Sequence, residues 1–130
     1  MSEHKVFVSY SHRDLDATWR DAFAEALRRQ HLRVWIDESD LYPGDNWIQK
    51  MEVALRESDA IIAVISGSRG NGNLYFELGV AAASGKNMIL VVDPSVRVSL
   101  PFDLRNQQQI TKRTPIETAR SVAKAIKTTD

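Results

Sequence analysis

The run Ala60-Ile61-Ile62-Ala63-Val64-Ile65 constrains this chain more than any other feature: it is apolar on both alternating faces and mostly β-branched. Six residues are far too few to span a bilayer. A short run of this kind reads as a strand covered on both sides, and such strands belong to parallel sheets lying between two layers of helices.

The flanking segments agree. Lys5–Tyr10 is rich in β-branched and aromatic residues and reads as a first strand. Polar Ser11–Asp14 then opens a helix whose apolar face is Leu15, Trp19, Ala22, Phe23, Ala26 and Leu27, with Arg28 and Arg29 near its end, where positive charge suits the helix dipole. Arg33–Ile36 is a second short strand. Asp37–Asn46 is a loop turning at Pro43-Gly44, and Asp45 or Asn46 can cap a helix with Trp47, Ile48, Met51, Ala54 and Leu55 on its core face. The apolar run forms the centre of a third strand, Asp59–Ser66. Beyond the glycine-rich Gly67–Gly72 loop, Asn73 caps a helix running to about Ser84 and ended by Gly85. Asn87–Val92 is a fourth strand and Gln107–Thr111 a weak fifth. Thr114-Pro115-Ile116-Glu117 has the form of a capping box with proline at the first helical position. The last helix then places Ile116, Ala119, Val122, Ala123 and Ile126 on one face. Trp19 and Trp35 are expected in the core.

Strict alternation of strands and helices implies a parallel sheet with helices on both faces. In such sheets ligands bind beyond the carboxyl ends of the strands, at the point where the strand order reverses. If the order is 2-1-3-4-5, the crevice lies between the first and third strands, beside Ser9, Tyr10, Ser11, Ser66, Gly67 and Ser68.

The 130 residues suit one domain, 1–130, which is long enough to build its own core and is expected to be a unit that longer proteins also carry. Lys+Arg and Asp+Glu are both 17, so the basic excess of a nucleic-acid binder is absent and no nucleic-acid partner is expected. The chain has no cysteine, which excludes disulfides, thiol nucleophiles and cysteine zinc sites. His4, His12 and His31 show no metal-ligand spacing, so no metal is expected. Met1–Lys5 leads straight into a strand, so a signal peptide is not expected. No membrane partner is expected either, and the expected location is the cytoplasm.

Three segments, in order, resemble the Toll/interleukin-receptor (TIR) domain family, closest to its prokaryotic and plant-like branch. The first is Phe7-Val8-Ser9-Tyr10-Ser11 with Asp14. The second is Val34-Trp35-Ile36-Asp37 through Leu41-Tyr42-Pro43-Gly44-Asp45 to Trp47, continuing into Ala54–Asp59 and the strand ending at Ser66. The third is Tyr75-Phe76-Glu77-Leu78-Gly79, followed by Gly85-Lys86. The resemblance implies a flavodoxin-like three-layer α/β fold with a five-stranded parallel sheet ordered 2-1-3-4-5. It implies cleavage of NAD+ at the nicotinamide–ribose bond, with NAD+ as substrate and no separate cofactor. Nicotinamide is released with ADP-ribose or a cyclic isomer. It also implies self-association through TIR–TIR contacts, and a role in anti-phage defence.

By resemblance, Glu77 is the catalytic carboxylate. Its position about one turn into a helix favours the ionised form, and cleavage builds positive charge on the ribose that a carboxylate in a dry pocket stabilises. The ordinary alternative is a surface glutamate or a partner for Arg69. Substrate-binding candidates are Ser9, Tyr10, Ser11, Arg13, Asp37, Ser66 and Asn73. Hydroxyls and backbone N–H groups at the end of the first strand can hold phosphate or ribose, or can simply cap a helix. Asn73 stands where the family often has a tryptophan, so the usual substrate stacking does not carry over. Leu41, Tyr42, Pro43, Gly44 and Trp47 form an apolar loop suited to an assembly interface or gate. Trp47 equally suits the start of the next helix's core face. Two alternatives stay open. One is a non-enzymatic TIR assembly module. The other is a nucleoside deoxyribosyltransferase-like enzyme, because Phe76-Glu77-Leu78-Gly79 is similar to a segment of that family.

Overall fold

A computed structural model of the chain describes residues 4–10, 16–36, 53–65, 85, 87–94 and 108–128. Its elements are β1 (His4–Tyr10), α1 (Ala17–Arg29), β2 (Leu32–Ile36), a helical stretch at 53–57, β3 (Ala60–Ile65), β4 (Asn87–Val92), β5 (Gln108–Thr111) and a closing helix (Pro115–Thr128). The strands form one all-parallel sheet in the order β2-β1-β3-β4-β5.

Both faces of this sheet are buried, as the apolar run requires. Val6, Val8 and Tyr10 of β1, Ala60, Ile62 and Val64 of β3, and Ile89 and Val91 of β4 share one core cluster. Phe23 and Leu27 of α1 and Ala119, Val122 and Ile126 of the closing helix complete it. The residues between them in sequence point the other way, yet Phe7, Ile61, Ala63, Met88 and Leu90 are equally inaccessible. Adjacent residues such as Ile61 and Ile62 therefore serve opposite layers. Each fully buried aliphatic side chain contributes about 1.5–3 kcal/mol relative to exposure.

Chain direction settles which layer each helix joins. The β1-to-β2 crossover runs one way along the sheet and the β2-to-β3 crossover runs back across β1. Both must be right-handed, so α1 and the 53–57 helix cover opposite faces. The burial agrees: Ala54 and Leu55 are buried but stand outside the α1-side cluster.

Local chemistry sets the boundaries. The Asp16 carboxylate accepts the Trp19 backbone N–H at 3.0 Å and caps α1, which begins at Ala17. The helix therefore starts later than the Ser11–Asp14 segment expected to open it, because the extended Asp16 is its cap. Arg28 and Arg29 occupy the last turn of α1, as expected. The helix is followed by His31 at φ 66°, a left-handed position usually given to glycine. Gly85 takes φ 70°, as suits the helix end expected there. At the start of β3, Asp59 donates its backbone N–H to the Lys5 carbonyl at 2.7 Å, and its carboxylate accepts the Lys5 N–H at 2.8 Å. Ser58 donates its hydroxyl to the Ala54 carbonyl at 2.6 Å, tying the preceding helix to the same point.

Several sequence expectations need correction. Ala22 is exposed, and Ala24 takes its place on the buried face of α1. Ile116 is 55% exposed, while Thr118 is buried. At 100° per residue the buried stripe of the closing helix centres near Ala119, Val122 and Ile126, and Ile116 falls to its side. Trp19 and Trp35 are only partly buried. Trp35 lies on an edge strand, stacked on Phe7 at 4.6 Å. Trp19 stacks on Phe23 at 4.8 Å at the rim of the core. In the capping motif, Thr114 accepts the Glu117 backbone N–H at 3.2 Å as expected. The Glu117 carboxylate meets the Thr114 hydroxyl at 3.0 Å. The Arg113 N–H is taken by the Thr118 hydroxyl at 2.9 Å.

Candidate functional site

The order β2-β1-β3 makes β1 the reversal point of the sheet, because the chain leaves it in one direction and returns on its other side. Parallel pairing brings the carboxyl ends of the three strands together. Val8 pairs with Ile36 and Tyr10 with Val64. With strands about 4.8 Å apart and a rise of about 3.3 Å per residue, Tyr10 lies within roughly 10 Å of both Ile36 and Ile65, which are themselves about 14 Å apart. In sequence Ser11 follows Tyr10, Asp37 follows Ile36 and Ser66 follows Ile65.

Of the candidates, two are themselves described. Ser9 is fully buried on the β1 face opposite α1. Tyr10 is 4% exposed and its ring belongs to the α1-side core. The Tyr10 hydroxyl accepts a bond from Arg20 Nη1 at 3.4 Å, and the Arg20 guanidinium sits 5.4 Å from the ring centroid. Arg20 Nε also donates to Asp21 at 3.0 Å, and this bond raises the Arg20 pKa above its ordinary value. The side chain of Tyr10 is thus committed to α1. Glu77, Ser11, Arg13, Asp37, Ser66 and Asn73 lie outside the described residues, as do Leu41, Tyr42, Pro43, Gly44 and Trp47.

The described residues add a cluster that sequence reading did not anticipate. The Trp19 indole N–H donates to the Arg113 carbonyl at 2.9 Å. Lys112 Nζ lies 4.6 Å from the centroid of the Trp19 ring and 3.7 Å from an Asp93 carboxylate oxygen. This joins the first turn of α1 to the carboxyl ends of β4 and β5. No local pattern announces it, because Trp19, Asp93 and Lys112 are brought together only by strand order.

A separate open groove of about 180 Å³ lies near the amino ends of β1 and β2, lined by Lys5, Arg33, Trp35, Glu57 and Ser58 among others. It is at the opposite end of the sheet from the crevice. Among the described residues no helix is long and apolar enough to cross a membrane.

Comparison with known proteins places this architecture. The chain is 36% identical over 66 residues to the 2′ cyclic ADP-D-ribose synthase BtTIR of Bacteroides thetaiotaomicron, a match covering 51% of this chain and 23% of that protein. It is 39% identical over 64 residues to the NAD(+) hydrolase TcpA of Theionarchaea archaeon (strain DG-70-1), covering 49% of this chain and 19% of that protein. The matched region thus spans about a fifth of the length of these curated relatives. Among solved structures, the TIR domain of the Toll-related receptor TRR-2 from Hydra magnipapillata shares the fold. Its TM-score is 0.68 at 16% identity, over 94% of this chain and 97% of that one. A 2-deoxyribosyltransferase from Bacillus psychrosaccharolyticus also shares it, with a TM-score of 0.64 at 11% identity, over 88% of this chain and 90% of that one. The TIR domain family model matches residues 6–124, from the third residue of β1 into the closing helix, and the chain belongs to that family.

Proposed function

We propose that this chain is an NAD+ nucleosidase. It cleaves the nicotinamide–ribose bond to give nicotinamide and ADP-ribose or a cyclic isomer, and TIR–TIR assembly activates it. The observation that carries this reading is the similarity, over about half of the chain, to two TIR proteins whose names state NAD+ hydrolysis and cyclic ADP-ribose synthesis. The reversal of strand order at β1 supports a ligand site at the carboxyl ends of its strands.

In this reading the bond between C1′ of the ribose and the nicotinamide nitrogen breaks with its electron pair going to nitrogen. Nicotinamide leaves neutral, and positive charge is left on the sugar. The Glu77 carboxylate stabilises that charge and engages the ribose hydroxyls. Water then adds at C1′ and releases a proton, giving ADP-ribose. Attack by a nucleophile from the same molecule gives a cyclic product instead. Ser11 and Arg13, with the backbone at the Ser9-Tyr10 end of β1, hold the phosphate and ribose groups, together with Asp37, Ser66 and Asn73. The Leu41–Trp47 loop, through Tyr42, Pro43 and Gly44, makes the contacts between copies. The setting proposed is cytoplasmic anti-phage defence.

The test is NAD+ turnover by wild type and Glu77→Ala at high protein concentration or under crowding, with products identified by mass. Wild type releases nicotinamide and Glu77→Ala loses at least about a hundredfold of that rate, the scale of losing one electrostatic stabiliser. Equal release by both proteins refutes the assignment of Glu77. No release by wild type favours the non-enzymatic assembly module.

A further inference from the structure

Lys5 and Arg33 are register partners on β1 and β2, and Phe7 and Trp35 are the next pair on the same face. That face is the one turned away from α1, because Val6 and Val34, between them in sequence, pack on the α1 side. The stacking of Phe7 on Trp35 at 4.6 Å confirms that the two strands present these residues together. Two cations thus stand side by side on strands about 4.8 Å apart, an arrangement in which like charges oppose each other. Both line the open groove of about 180 Å³, as do Trp35 of β2 and Glu57 and Ser58 at the end of the 53–57 helix. Among the described residues, none of Lys5, Arg33 and Glu57 makes an ion pair, and the Trp35 indole N–H has no acceptor. Ser58 has spent its hydroxyl proton on the Ala54 carbonyl, and the Asp59 carboxylate takes the Lys5 backbone N–H. The groove therefore gathers an ammonium, a guanidinium fork and an indole N–H beside an aromatic wall, with one carboxylate among them.

We propose that this groove is a ligand site separate from the crevice, and that it takes a phosphate monoester with a flat organic group, such as a nucleoside monophosphate. Two cations against one acid leave the lining with one excess positive charge. A phosphate monoester carries about −1.5 to −2 charges at pH 7 and three acceptor oxygens, so it meets both cations at once and relieves their repulsion. Arg33 supplies the planar fork that phosphate fits, and Lys5 adds a second charge-assisted bond. Trp35 gives the flat organic group an apolar surface, and Glu57 accepts from a sugar hydroxyl. The groove is smaller than the roughly 300–1,000 Å³ of a site that encloses a drug-sized ligand, so it holds the phosphate and the part next to it. No step of the NAD+ scheme uses this end of the sheet, so the proposal stands independently of that reading.

The experiment follows the indole N–H signals of the three tryptophans in a nitrogen-15 correlation spectrum, with the Trp35 signal identified by its loss in Trp35→Phe. The probes are adenosine monophosphate, inorganic phosphate and adenosine. Adenosine monophosphate should shift the Trp35 signal saturably, with a Kd of about 1 mM or tighter. Inorganic phosphate should bind at least threefold more weakly, and adenosine should give no saturable shift. Arg33→Gln and Lys5→Gln should each weaken adenosine monophosphate about tenfold, the scale of one charge-assisted bond. Arg29→Gln, which breaks only the exposed pair with Glu25, should bind as wild type does. Arg33→Gln and Lys5→Gln should also melt no lower than wild type, because each removes the like-charge pair. A lowered melting temperature would show instead that these cations serve the fold. That result overturns the proposal, as does the absence of a saturable shift, equal binding by the Arg33 and Lys5 variants, or inorganic phosphate binding as tightly as the nucleotide.

Discussion

Two residues adopt left-handed conformations, and they make opposite predictions. His31 has φ 66° and carries a side chain that disfavours that region, whereas Gly85 has φ 70° and open space where a Cβ would sit. A side chain costs about 1–2 kcal/mol there, partly offset by the greater freedom of glycine in the unfolded chain. His31→Gly should therefore stabilise the fold by about 0.5–1 kcal/mol in chemical denaturation. Gly85→Ala should destabilise it by about 1 kcal/mol, through backbone strain alone. A positive φ at a glycine is what its sequence position allows. The histidine's was not legible in the sequence, because nothing in its chemistry asks for φ above zero. It is placed there by the short distance from the end of α1 at Arg29 to the start of β2 at Leu32. Asp16 and Asp59 teach the same lesson. Each is an acid in a polar stretch until the fold gives its carboxylate a particular backbone N–H.

At the scale of elements, β3 is the clearest case of sequence determining structure. Its six residues are all buried, and no other disposition would hide Ile61 and Ile62 together. Ile61→Asn and Ile62→Asn should each cost more than about 3 kcal/mol, because each buries an amide without a partner and leaves a void. A sheet with one solvated face would tolerate one of the two, so near-equal losses in thermal melts check the two-layer arrangement. The closing helix shows where periodicity falls short. Ile116 lies close enough to the apolar face to be read as core, but the stripe that meets the α1-side core excludes it. Ile116→Ala should cost less than about 1 kcal/mol by denaturant titration, whereas a core isoleucine would cost 2–5 kcal/mol. The 3.6-residue period defines a face only to within one side chain, and the neighbouring element chooses its centre.

For the whole molecule, the proposed assembly makes activity a property of more than one copy. Specific NAD+ turnover by wild type should rise with protein concentration. Pro43→His should lower both self-association and turnover together, by tenfold or more at a concentration where wild type is assembled, as expected if about 1.4 kcal/mol or more of interface free energy is lost. Sedimentation and nicotinamide release measured on the same samples check it. Turnover per molecule that stays constant across concentration would separate the chemistry from assembly.

The candidate site is a reading of sequence motifs: Ser9-Tyr10-Ser11 at the end of β1, Asp37 and Ser66 just past β2 and β3 in sequence, and Tyr75-Phe76-Glu77-Leu78-Gly79 beyond; of these only Ser9 and Tyr10 are among the described residues. Residue order by itself determined the five strands, α1 and the closing helix, and the burial of β3 on both faces. These depend on side-chain polarity and backbone propensity acting over a few residues, and such preferences are visible locally. Only the tertiary structure decided that β1 lies between β2 and β3, that Tyr10 turns its hydroxyl to Arg20, and that Trp19, Lys112 and Asp93 meet. Those contacts join residues from 10 to 93 positions apart in the chain, and their partners are chosen by strand order and handed crossovers rather than by anything near them in sequence.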